Sequence, residues 1–179
     1  MDAADRGMGA VGVSFNSFAD QEAKVKEYRH RIQHCDPVGA FVTDQMNAVN
    51  MLFCHDDMEH GVMTGQRLAG TFNYLAAQFD MAREMWPSKA YPSAGLLASV
   101  RQQANSPGEV KGAPEGIAIG NPQHIIGELK KWEACGVDRI CFLLNMGEAI
   151  PQDQVLASLR LFAAEVMPAF ADSRVGSAA

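Results

Sequence analysis

Residues Gly116 to Phe170 read GIAIGNPQHIIGELKKWEACGVDRICFLLNMGEAIPQDQVLASLRLFAAEVMPAF, and this stretch decides the fold. Asn121 is a good helix N-cap, Pro122 fits the first helical position, where its missing N–H costs nothing, and Gly136 fits the C′ position. Between them Ile125, Ile126, Leu129, Trp132 and Cys135 recur at spacings of three and four. They form a packing stripe, with Glu128, Lys130, Lys131 and Glu133 assigned to the wet side. Ile140 to Leu144 is apolar without alternation, the pattern of a parallel strand covered on both faces. Asp138 and Arg139 mark its solvent end. Pro151 opens a second helix whose stripe of Val155, Leu156, Leu159, Phe162, Ala163 and Val166 runs to Pro168. The order strand, capped helix, strand, helix is the unit of a parallel α/β barrel or a doubly wound sheet.

Working outward, Ala10 to Phe15 reads as a short strand, followed by a helix from about Asp20 with Val25, Tyr28 and Ile32 on one face. The next strand signal lies within Phe41 to Cys54 and is clearest from Ala48 onward. A long helical region then runs from Asp56 or Asp57 to about Met85, its first turn acidic as the helix dipole favours. Gly61, Gly65 and Gly70 weaken that helix, and a break is expected near Gly70. Trp86-Pro87 stops it. Ala90 to Ala113 is the least regular stretch, with a short helix expected over Leu96 to Gln103 and a lid or pocket role in a barrel enzyme. One domain over residues 1–171 and a frayed tail over 172–179 follow. The core strands number about three, plus a minor one at Ile117-Ala118-Ile119.

Three strings resemble the carboxyl-terminal end of the bacterial luciferase-like monooxygenases. They are Gly120-Asn121-Pro122-Gln123-His124-Ile125-Ile126, Gly136-Val137-Asp138-Arg139-Ile140-Cys141, and Leu159 to Pro168 with its closing Leu-Phe-x-x-Glu-Val-Met-Pro. The resemblance is good over the last third of the chain and continues, more weakly, back to Gly9. It implies a flavin-dependent oxidoreductase on a (β/α)8 barrel, using reduced FMN, or F420 in some relatives, with O2 and a small organic substrate. A flavin reductase is implied as partner. These strands would then be the last three of the barrel, and the phosphate-anchoring loop and most ring contacts would come from strands ahead of Gly9.

At 179 residues with 47% apolar residues the chain can bury a core, yet a whole (β/α)8 barrel typically needs about 250 residues. The expected fold is therefore a partial TIM barrel of three to four parallel strands with flanking helices, not closed by this chain alone. A net charge of −6 without a Lys/Arg cluster argues against nucleic acid or an anionic membrane as partner. No apolar run approaches the roughly 20 residues of a membrane span, and the amino terminus is no signal peptide. Cys35, Cys54, Cys135 and Cys141 lack CxxC spacing, which points to reduced thiols in a cytoplasmic protein.

Several constellations invite a chemical reading. Gly7 to Gly12 fits GxGxxG, but a strand follows where the dinucleotide fingerprint needs a helix, so it reads as a turn entering a strand. His55-Asp56-Asp57-Met58-Glu59-His60 lacks HExxH or calcium-loop spacing and reads as a solvated helix start. The Asn121-Pro122 turn could hold a phosphate on free N–H groups, with ordinary capping the plainer role. No GxSxG elbow or nucleophile–base set occurs. Barrel sites lie at the carboxyl ends of strands. By position, the pocket-wall candidates are Ser14, Phe15, Met51, Phe53, Leu144 and Asn145. Asn145 could bond a ligand or simply start a turn. Met51, Phe53 and Leu144 fit core packing as well as a wall. Two functions stand: an incomplete luciferase-like monooxygenase, expected to be inactive alone, or a non-catalytic α/β module binding a ligand or partner through its open sheet edge. An open edge carries unsatisfied backbone groups, so a homodimer or a partner chain is expected.

Overall fold

Met46 to Cys54 form β2, a nine-residue strand with which every other described strand pairs. The computed structural model describes residues 2–12, 17–85 and 112–171. The order is α1 (Asp2–Asp5), β1 (Ala10–Gly12), α2 (Phe18–Ile32), β2, α3 (Met58–Met85), β3 (Ala118–Gly120), α4 (Pro122–Cys135), β4 (Arg139–Leu143) and α5 (Gln152–Leu161). A π turn over Phe162–Val166 and a 3-10 turn over Met167–Phe170 follow. All pairings are parallel. β1 lies along Met46 to Ala48, β4 along Asn47 to Met51, and β3 along Leu52 to Cys54. The registers of β1 and β4 overlap at Asn47 and Ala48, so these two strands occupy opposite edges of β2. The result is an open four-stranded parallel sheet flanked by helices. The expected helix over Leu96 to Gln103 and the tail lie outside the described residues.

The two faces of β2 follow from its period of two. Met46, Ala48, Leu52 and Cys54 join a core with Val25, Tyr28 and Ile32 of α2 and Ile125, Leu129 and Trp132 of α4. Phe53 turns the other way, packing with Leu68 of α3, Ile119, Ile150 and Val155. Helices thus cover both faces at the carboxyl half of the sheet. β4 differs from its sequence reading: Arg139 and Cys141 are exposed and the rest of the strand is only half-buried. Its one strand partner among the described residues is β2, so it behaves as an edge.

Local chemistry fixes the helices. The Asn121 side chain accepts from the His124 N–H at 2.9 Å, Pro122 sits in the first turn, and Gly136 adopts φ 101° at the C-cap. Ser17 caps α2, accepting from Asp20 N, which places its start at Phe18, ahead of the expected Asp20. Asp57 Oδ1 accepts from His60 N at the start of α3. The break expected at Gly70 does not occur. A single glycine costs a helix about 1 kcal/mol, less than abandoning the hydrogen bonds of a turn. Gly65 has a different role: a Cβ there would lie 2.5 Å from Ile119 Cβ, so glycine lets α3 approach β3.

Polar groups complete the core. Asn50, 3% exposed in mid-strand, donates from Nδ2 to Gly116 O at 2.6 Å, while its Oδ1 accepts from Met51 N and Ala118 N. Trp132 Nε1 donates to the same Gly116 carbonyl at 2.7 Å. Glu128, assigned by sequence to the wet side of α4, is buried instead, because its carboxylate accepts from Gly116 N and pairs with Lys131. Arg29 joins three segments: it donates to Gly136 O and to the carboxylates of Asp138 and Asp44, and Asp138 also accepts from Met46 N. Burial pushes the Cys54 thiol up to about 11, from an ordinary 9.0, with Asp56 and Glu165 adding to the shift.

Gly65→Ala is expected to lower stability by about 1–3 kcal/mol through overpacking against Ile119. Gly70→Ala, which has nothing within 4 Å of its new Cβ, raises it by about 0.5–1 kcal/mol. Urea denaturation of the pair checks the contrast. A second expectation concerns pH. The unfolded thiol ionises first, so the contribution of Cys54 is complete below pH 9 and lost as pH rises toward 11. Cys54→Ala should flatten that part of a stability–pH curve; an unchanged alkaline slope would refute the assignment.

Candidate functional site

The carboxyl ends of β2 and β3 converge on the start of α3 and the start of α4. β2 delivers His55 immediately after Cys54, and its backbone N–H donates to Gly120 O at 3.0 Å, which ties the two strand ends together. His55 Nδ1 accepts from Asp57 N at 3.0 Å. An accepting Nδ1 carries no proton in the neutral ring, so Nε2 is left as the donor. The His60 ring lies 4.3 Å from that of His55, centroid to centroid, and 6.4 Å from Phe53. Its Nε2 is 3.5 Å from the hydroxyl of buried Thr64, one helical turn on. Across the turn Met58 Sδ accepts from Asn121 N, and the buried Nε2 of His124 has no hydrogen-bond partner. Three imidazoles therefore gather at one end of the sheet, with buried Phe53 behind His60.

The residues chosen from sequence fall into this region unevenly. Ser14 and Phe15 lie outside the described residues. Met51 is half-buried on β2 in register with Leu143, and Leu144 is 38% exposed just beyond β4. Phe53 is 2% exposed and belongs to the second core cluster. Asn145 adopts φ 36° and binds Ile150 twice, Nδ2 donating to its carbonyl at 2.8 Å and Oδ1 accepting from its N–H at 3.0 Å. Its amide closes the β4–α5 loop and seats Ile150 against Phe53. Turn formation, one of the two roles open to it from sequence, is the role its bonds serve.

His55 and His60 escaped the sequence reading because an acidic, polar string after a strand looks like any solvated helix start. Most of it is: Asp56, Asp57 and Glu59 are exposed. The available signal was His55 itself, placed at the first position beyond an apolar strand, where barrel and open α/β sites form. Cys54, although adjacent, is held protonated by burial and is no thiolate nucleophile. Ser158, read from sequence as lying in no nucleophile elbow, has a structural role: its hydroxyl accepts from Cys54 N at 2.7 Å in the core.

A flavin would need a ring wall and a phosphate anchor. The described residues offer the first through the stacked rings of His55 and His60, with Phe53 buried behind them. They do not fit the second: Asn121 occupies His124 N, Pro122 has no N–H, and Ile125 N bonds Asn121 O, leaving no converging set of free donors at the start of α4. The plainer reading of that turn as a cap holds. Among the described residues no group of three or more His, Cys, Asp and Glu could hold a metal ion. None of their helices is long and apolar enough to cross a membrane.

No known protein-family profile matches the chain. Over 124 residues it is 29% identical to the oxygenase component of the flavin-dependent trigonelline monooxygenase of Acinetobacter baylyi, a match covering 67% of this chain and 32% of that protein. The chain thus spans about a third of the length of this curated relative. Its fold is similar to that of the monooxygenase RslO1 from Streptomyces bottropensis, with a TM-score of 0.62 and 18% identity over 95% of this chain and 44% of that one. The structural likeness speaks for the fold alone, an open parallel α/β arrangement that matches less than half of that longer chain. The sequence match, at low identity, relates the chain to flavin-dependent monooxygenases.

Proposed function

We propose that this chain forms part of a luciferase-like flavin-dependent monooxygenase, contributing the carboxyl-end wall of the site, and that by itself it is an incomplete enzyme. The observation that carries this reading is the 29% identity over 124 residues to a flavin-dependent oxygenase component. Position supports it too, since the imidazoles lie where barrel enzymes place their chemistry. Reduced FMN is the proposed cofactor, with F420 as the alternative, and O2 and a small organic molecule are the co-substrates. A separate flavin reductase supplies the reduced flavin, as befits an oxygenase component. The cofactor performs the oxygen chemistry. The chain's own part is to place the imidazoles of His55 and His60 beside the ring, with Phe53 packed in the core behind His60.

A second reading keeps the fold and drops the catalysis: an α/β module that binds a partner chain or ligand through its open edge. It is favoured by Val11 of β1, 62% exposed on a strand with one paired edge among the described residues. Titration of the purified chain with FMN and with F420, followed by fluorescence, separates the two. The monooxygenase reading expects saturable flavin binding, weakened about tenfold by His55→Ala, the worth of one net hydrogen bond. It also expects no NAD(P)H-coupled O2 uptake when a flavin reductase is added to the isolated chain. Absence of flavin binding in the wild type sinks the first reading, and full turnover by the chain alone sinks its incompleteness.

A further inference from the structure

On the outer face of α2, the rings of His30 and His34 have their centroids 5.5 Å apart and their planes at 78°. Residues four apart lie one above the other on a helix, and this is the spacing by which a helix offers two imidazoles to a single metal ion. The last turn keeps that spacing past the end of α2 at Ile32. Gln33 holds right-handed dihedrals of φ −67° and ψ −16°, and His34 N donates to Arg31 O at 3.0 Å, so the helical turn runs on through His34.

The pair faces away from the sheet. Val25, Tyr28 and Ile32 form the buried stripe of α2. His30 follows Tyr28, and His34 follows Ile32, by two residues, about 200° around the helix. Both histidines are exposed, and this face is bare because it is turned from the sheet, not because a sheet edge is open. Among the described residues neither imidazole has a hydrogen bond or ion pair, and the ring contact they make is with each other. The outer torsion of histidine is broad, so each ring can turn a nitrogen toward a point between them. Two imidazoles that each reach a tetrahedral ion at about 2.1 Å have their centres about 5 Å apart, close to the separation found here.

The surroundings admit a cation. The neighbouring guanidiniums are both engaged, Arg29 with Asp44 and Asp138, Arg31 with Asp5 and Glu27. The carboxyl end of a helix carries the negative end of its dipole, which favours positive charge in the last turn. We propose that His30 and His34 chelate one divalent first-row transition ion, Zn²⁺ or its imidazole-binding neighbours Ni²⁺ and Cu²⁺, and not the oxygen-seeking Mg²⁺ or Ca²⁺. No third His, Cys, Asp or Glu completes the set among the described residues, so water fills the other positions. The ion staples the last turn of α2 just ahead of the loop that leads to β2. This site shares no residue with the proposed oxygenase wall, and each can fail without the other.

Calorimetric titration of the untagged full chain with ZnCl₂, NiCl₂ and CuCl₂ is the test. The wild type should take up one ion per chain, gain about 5 °C in Tm at a free Zn²⁺ concentration a hundred times Kd, and ignore MgCl₂. His30→Ala and His34→Ala should each weaken binding about a hundredfold, because loss of one ligand abolishes the chelate, with an unchanged circular dichroism spectrum. Pulsed electron paramagnetic resonance of the Cu²⁺ form should show two imidazole nitrogens in the wild type and one in either variant. Lys26→His added to His34→Ala re-creates the four-residue spacing one turn earlier, beside His30, and should restore binding. Absence of saturable uptake by the wild type, undiminished uptake when both His30 and His34 are replaced, or no recovery with Lys26→His would each overturn the proposal.

Discussion

The structure depends on one strand's ability to hold three partners, and the Asn50 carboxamide is what makes the third possible. β2 spends its first six residues on β1 and β4 and its last three on β3. Where the pairing changes, Asn50 Oδ1 receives the backbone N–H groups of both Met51 and Ala118. Its Nδ2, together with Trp132 Nε1, anchors the Gly116 carbonyl, while Glu128 takes the Gly116 N–H. A buried polar group is costly unless satisfied, and this one is satisfied on every side. The network fixes the entry to β3 at Gly116.

That arrangement has a consequence for the site. With β3 seated against the end of β2, the α4 turn and the start of α3 meet, and His55 is fixed by the Gly120 carbonyl on one side and the Asp57 N–H on the other. The opposite end of the sheet is governed by Arg29, which binds α2 to the turn before β4 through Gly136 and Asp138. The histidines thus lie at one end and the Arg29 network at the other, the two ends that parallel α/β folds usually give to chemistry and to stability.

The residues of α4 show how far sequence reaches. Cap, proline, stripe and terminal glycine were each legible, because a helix end is settled by groups within four residues of it. Glu128 was misassigned for the opposite reason: its partner, the Gly116 N–H, lies 12 positions away and is brought close only by folding. The same holds for Gly65, whose value is its distance to Ile119, and for β4, whose apolar run looks covered but lies at an edge. Of the residues chosen as a pocket wall, Met51, Phe53 and Leu144 lie toward the carboxyl ends of their strands, as their sequence positions require. Period alone could not say which of them would be buried as core.

By itself, then, the sequence determined the order of elements, their caps and the parallel α/β class, since these follow from local hydrogen bonding and from apolar spacing along the chain. It also carried the likeness to flavin-dependent monooxygenases. Tertiary structure alone decided which strands pair, that β2 is shared by three, that Asn145 closes a loop, and that His55, His60 and Phe53 come together. Those facts depend on contacts between residues far apart in the chain, and no short-range pattern encodes a contact whose two halves are read separately.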